Sequence, residues 1–85
     1  MITVQTHPLD CMRQTLQLPE GCEILSVSQH ENNHYVHVAV NTERGLAPVN
    51  FYFYHDLEKM HESSVLYHYG TFYLDDTPLH VFADR

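Results

Sequence analysis

Leu18-Pro19-Glu20-Gly21-Cys22-Glu23-Ile24-Leu25-Ser26-Val27 and Tyr69-Gly70-Thr71-Phe72-Tyr73-Leu74, the latter followed closely by Leu79-His80-Val81-Phe82, decide the fold class. In the first stretch Pro19 fixes φ and Gly21 accepts positive φ, so a turn separates two segments of alternating polarity. In the second, a glycine interrupts an aromatic strand and Asp75-Asp76-Thr77-Pro78 turns the chain into a last strand. Both read as hairpins, and neither carries a catalytic signature.

The same alternation extends in both directions. Ile2 and Val4 alternate with Thr3 and Gln5 until His7-Pro8; Met12, Leu16 and Leu18 oppose Arg13, Thr15 and Gln17. Glu23 to Gln29 is apolar on both faces through Ile24, Leu25 and Val27, which reads as a central strand. Val36, Val38 and Val40 form one face of His34 to Asn41, and Val49, Phe51 and Phe53 oppose Asn50, Tyr52 and Tyr54. Val65 to Leu74 and Leu79 to Ala83 complete the set. His55 to Ser64 breaks the pattern, since it has no β-branched residue. Asp56 as N-cap with Leu57 and Met60 three apart predicts a short helix or structured loop at about 56–62. The expected fold is a single domain over 1–85 and mainly β. Six to seven short antiparallel strands make a sheet, sandwich or partly open barrel, with at most one short helix.

Composition bounds the partners. Hydrophobic residues at 44% and aromatics at 12% suffice for a packed core and argue against disorder. A formal charge of −7, with only Arg13, Arg44, Lys59 and Arg85 as cations, offers no basic face for a phosphate backbone. No segment approaches the ~20 apolar residues of a membrane-spanning helix, and the N-terminal residues lack the pattern of a secretory signal. A cytoplasmic protein with Cys11 and Cys22 reduced is the expectation, although a bridge between them is geometrically conceivable.

Leu18-Pro19-Glu20-Gly21 with Ile24-Leu25-Ser26-Val27, then Tyr69-Gly70-Thr71-Phe72, then His80-Val81-Phe82, resembles a family of small uncharacterised proteins encoded by bacteriophages and prophages. The resemblance implies a compact β-rich domain and a phage context, and carries no activity with it. Relatives have a Gly-Thr-Gly-His loop where this chain has Phe53-Tyr54-His55-Asp56-Leu57-Glu58, of which only His55 corresponds.

The candidate chemistry is sparse. Eight histidines are the compositional oddity, but none of their spacings is a metal motif. His34 and His37 fall on opposite faces of a strand. His55, Glu58 and Glu62 would share one helix face and are the best local ligand trio, yet such trios are common on solvated helices. Cys11, Cys22, Ser26, Ser28, Ser63 and Ser64 sit beside no recognisable base. Three scattered glycines build no phosphate cradle. The tyrosines are more suggestive: Tyr52 with Tyr54, and Tyr67 with Tyr69 and Tyr73, read as shared faces. Tyrosine supplies contact area at low entropic cost, although it also simply covers small sheets. Asp56, Glu58 and Glu62 would rim such a patch.

The reading is a non-catalytic binding protein without cofactor or metal, docking on a host protein through Tyr52, Tyr54, Asp56, Glu58, Glu62, Tyr67, Tyr69 and Tyr73. It involves neither nucleic acid nor membrane, and a homodimer is compatible with it. The rival readings are a minor virion or assembly protein and a metal-dependent enzyme using the histidines. The expected core comprises Leu16, Leu18, Leu25, Val27, Val36, Val38, Phe51, Phe53, Phe72 and Val81. Phe51→Ala or Phe53→Ala should therefore cost about 3–5 kcal/mol. Thermal melts unchanged from wild type in both variants would refute that facing.

Overall fold

The structure, a computed structural model, describes residues 1–10, 12–60 and 65–85. Among the described residues seven strands form: β1 (Ile2–Pro8), β2 (Arg13–Pro19), β3 (Glu23–His30), β4 (Asn33–Asn41), β5 (Leu46–His55), β6 (Tyr67–Leu74) and β7 (Thr77–Ala83). They pair antiparallel in two sheets, three-stranded β1-β4-β3 and four-stranded β2-β5-β7-β6. The sheets face each other without closing into a barrel.

Inward-facing residues recur at every second position, as the pleat requires. Val36, Val38 and Val40 line β4; Val49, Phe51 and Phe53 line β5; Leu79, Val81 and Ala83 line β7. All nine are buried, together with Leu9, Leu18, Ile24, Ala47 and Phe72. At roughly 1.5–3 kcal/mol for each large side chain removed from water, this row pattern is the main favourable term.

The turns follow local chemistry. Asp75 and Asp76, at φ 49° and 64°, form the two-residue loop between β6 and β7. Aspartate tolerates the left-handed region better than most residues, and such loops match the strand twist. Gly21 supplies a φ of 75° after Pro19.

That Pro19–Gly21 turn is not a hairpin, contrary to the sequence reading. β2 pairs with β5 and β3 with β4, so the turn carries the chain from one sheet to the other. The expectation that the third strand is central fails for a related reason. β3 is an edge strand, and a bulge between Ile24 and Ser26 turns Ile24 inward and leaves Leu25 47% exposed. Leu16 and Val27 are only half-buried at the margin of the core. No helix forms among described residues 56–60. Asp56 and Leu57 make a turn, Leu57 at φ 64° is incompatible with a helix and fully exposed, and its expected contact with the sheet is absent. Residues 61–62 of that expected helix lie outside the described residues.

One glycine has a steric role. A Cβ built on Gly70 would lie 2.5 Å from Val27 Cγ2, where β6 crosses β3 of the opposite sheet. Overpacking of this kind typically costs 1–3 kcal/mol, and the branched Val27 has little freedom to yield. Gly70→Ala should destabilise the protein by about that amount. The loss should largely vanish in a Val27→Ala background. A double-mutant cycle on chemical denaturation checks it, and equal cost in both backgrounds would place the strain elsewhere.

Candidate functional site

Even-numbered residues of β5 and β7 point away from the core, so the outer face of the four-stranded sheet is set by register. Arg13 pairs with Tyr52, Tyr52 with Phe82, and Phe82 with His68, giving one row across all four strands. The next row runs Tyr54, His80, Thr71. A third joins Thr15, Asn50 and Asp84: Thr15 Oγ1 donates to Asn50 Oδ1 at 2.6 Å, and Asn50 Nδ2 to Asp84 Oδ2 at 2.7 Å.

The first two rows form a continuous aromatic surface. Tyr52 and Tyr54 stack with centroids 6.4 Å apart, Tyr54 meets Phe82 edge-on at 5.8 Å, and His68 lies 5.1 Å from Phe82. The Arg13 guanidinium sits 5.1 Å above the Tyr52 ring, within cation–π range. These spacings are those of favourable ring pairs. The two tyrosines and Phe82 are half-buried.

His80 is held at both ring nitrogens. Nε2 lies 2.5 Å from Asp56 Oδ1 and Nδ1 lies 3.0 Å from Thr71 Oγ1. An ionised carboxylate only accepts, so Nε2 carries a proton, and in the neutral ring Nδ1 accepts from the threonine hydroxyl. His68 Nε2 is 3.5 Å from the same hydroxyl. Threonine, histidine and aspartate stand in the bonding order of a nucleophile, base and orienting acid. Thr71 is half-buried on the sheet beneath both imidazoles, and the chain of bonds locks His80 into the aromatic rows.

Asp56 belongs to the turn after β5. Glu58 Oε1 accepts from the His55 backbone N–H at 3.0 Å, and the Glu58 N–H donates to His55 O at 3.2 Å, which closes the turn beside Tyr54. A concavity of about 150 Å³ opens there between Met12, Arg13, Tyr52, Phe53, Tyr54 and Glu58. On the other side of Met12 and Phe53 lies a second of about 240 Å³, whose walls include Leu9, His34 and Leu79. His34 stacks on Phe72 at 4.4 Å, and its Nε2 is shut from solvent without a hydrogen-bond partner. His37, on the opposite face of β4 as expected, bridges Thr6 and Ser28 across three strands.

The expected site residues are thus partly assembled. Tyr52, Tyr54, Asp56 and Glu58 come together, while Glu62 lies outside the described residues. Tyr67, Tyr69 and Tyr73 do not share a face, because a bulge between His68 and Gly70 shifts the register. Tyr67 pairs with Ala83 on the inner side and Tyr73 with Pro78 on the outer. Tyr69 packs against the core margin and donates its hydroxyl to the Arg85 carbonyl. β7 also separates β5 from β6, so the two tyrosine strands are not neighbours. Phe82, His80, His68 and Arg13 were missed; reading Leu79, Val81 and Ala83 as inward would have turned His80 and Phe82 outward. Of the suggested metal trio, His55 and Glu58 meet through the His55 backbone. Among the described residues no three His, Cys, Asp or Glu side chains are placed to hold a metal.

Cys22 is a free, half-buried thiol packed against the core. Burial pushes it above its ordinary value of 9.0, against opposition from Arg85. Tyr69 is raised above 10.0 by burial and then by Tyr67, Cys22 and Glu23. Both groups stay protonated in the folded state at a pH where the unfolded chain has lost the proton. The contribution of these two groups to stability is therefore fully present below pH 9 and falls as pH climbs past it. Melts from pH 8 upward check this. A Cys22→Ser, Tyr69→Phe protein that falls as steeply as wild type would refute the assignment.

No described helix is long and apolar enough to cross a membrane. No curated protein matches the chain, and no solved structure matches it. One family profile does, along residues 1–85, with the same all-β unit from β1 to β7 inside its bounds. The chain accordingly belongs to the family described as Domain of unknown function (DUF7352).

Proposed function

We propose that this chain is a non-catalytic binding protein that docks on another protein through the outer face of its four-stranded sheet. The observation that carries the reading is the continuous surface of Tyr52, Tyr54, Phe82, His68 and His80 beside a side-chain-sized concavity walled by Glu58. Aromatic anchors around a small pocket, rimmed by charge, are what interface hot spots look like. Tyrosine faces next to Glu58 and Asp56 favour a basic side chain of the partner, by cation–π attraction and ion pairing. The formal charge of −7 points the same way, since it steers a basic surface toward this protein.

In the bacteriophage setting that the sequence resemblance implies, the partner is a host protein and the complex sits in the host cytoplasm. Counter-defence or host takeover by occupation of a basic groove would then be the biological outcome. A minor virion or assembly role remains the alternative and draws on the uncovered strand edge taken up below.

The test is capture from host lysate by wild type, by Tyr52→Ala and by Glu58→Arg, with folding verified by far-UV circular dichroism. A specific partner retained by wild type should bind Tyr52→Ala more weakly by about a kcal/mol or more. Glu58→Arg should chiefly slow association and reduce its salt dependence. Undiminished binding by both variants would remove this face from the account.

A further inference from the structure

Four strand edges flank the two sheets, and three of them are protected against pairing with another chain. β3 carries the Ile24/Ser26 bulge. β6 carries the His68/Gly70 bulge, and the Gln29 side chain occupies its outward backbone, bonding both Tyr73 O and Tyr73 N. β2 begins with Arg13 and ends with Pro19, which has no N–H to offer. Bulges, charge and proline are the usual devices that keep edges from associating.

β1 has none of these through its first six residues. Leu9 N donates to His34 O at 2.8 Å and Thr42 N to Met1 O at 3.2 Å, so the odd-numbered residues of β1 make the bonds to β4. By the alternation of an antiparallel ladder, the N–H and C=O groups of Ile2, Val4 and Thr6 point to the open edge. None of the seven residues is buried. Ile2 is 69% exposed and Val4 61%. In a chain with eleven acidic and four basic residues, Ile2–Pro8 contains neither an acid nor a Lys or Arg.

We infer that two copies of this chain pair through β1, antiparallel about a two-fold axis at Val4, and so merge their three-stranded sheets into one. In that register Val4 meets Val4 of the second copy and Ile2 meets Thr6. Each pair exchanges two backbone hydrogen bonds, so every outward group of Ile2, Val4 and Thr6 is satisfied. The side chains of these residues share the face of Ala39 and His37, which gives a β-branched contact at the axis. Thr6 is already held by His37, so little order remains to be imposed. A second copy fits better than an unrelated strand on two counts. The segment is self-complementary under the two-fold, and a neutral edge is where two chains of charge −7 repel least.

Sedimentation equilibrium from about 1 μM to 1 mM tests the inference, a span that covers weak to moderate self-association. Wild type should pass from the chain mass to twice that mass. Val4→Lys and Val4→Glu put like charges face to face at the axis, and each alone should dissociate at least about tenfold more readily. An equimolar mixture of the two should recover the dimer. Amide exchange on wild type supplies a readout that needs no variant: Ile2, Val4 and Thr6 should slow together as concentration rises. A wild type that stays monomeric throughout, a dimer untouched by either substitution, or folded variants that do not recombine would overturn it.

Discussion

The valine row of β4, lodged against the phenylalanine and valine row of β5, holds the two sheets together. Val36, Val38, Val40, Val49 and Phe51 are all at most 1% exposed, and they belong to a single cluster with Leu79, Val81 and Ala83. No charge is buried among the described residues. Ion pairs add little, since the three that occur among those residues lie at exposed or half-exposed positions. A domain of this size buries only about 60–65% of its extended surface, so its stability rests on a few side chains. Because no polar or charged residue is fully buried among the described residues, most polar side chains, and the tyrosines with Phe82, lie toward the outer faces. There they order into transverse rows without having to serve the core.

How far this was legible in the sequence depends on the range of the interaction. Val36-Val38-Val40 and Phe51-Phe53 were readable because a two-residue period is local, and the inward face follows from it directly. Strand partners were not. Pro19-Glu20-Gly21 makes the same turn whether the strands it joins pair with each other or enter opposite sheets. The choice is made by β4 and β5, which lie far along the chain. Leu25 was misplaced because a bulge shifts the alternation by one residue without a sequence signal of its own. The helix expected at 56–62 rested on weak propensity, and the left-handed backbone at Leu57 ends any helical turn there.

The candidate site shows the same division. Tyr52, Tyr54, Asp56 and Glu58 are close in sequence and came together in space. Tyr67, Tyr69 and Tyr73 were grouped by a parity that the His68/Gly70 bulge breaks. Phe82, His80 and His68 reach the face only because β7 lies between β5 and β6, a matter of strand order that no motif records. The resulting surface is amphipathic in a specific sense: rings in the middle, carboxylates of Asp56 and Glu58 on one side, and the Arg13 guanidinium over one ring. Family membership adds a frame for the domain, while its chemistry has to be argued from this arrangement.

The close approach of Gly70 to Val27 also bears on the order in which the chain assembles. Only β3–β4 and β6–β7 join strands adjacent in sequence, and each closes through a two-residue loop. Every other pairing must first close a long loop, which is slow and costly in chain entropy. Gly70 lies in one of the two local hairpins and Val27 in the other, so their contact is where independently formed pieces would first recognise each other. β1 and β2, which need β4 and β5 already in place, would then attach late. In kinetic terms, substitutions at Gly70 should slow folding, whereas those in β1 should mainly hasten unfolding. A chevron analysis showing the reverse would exclude this route.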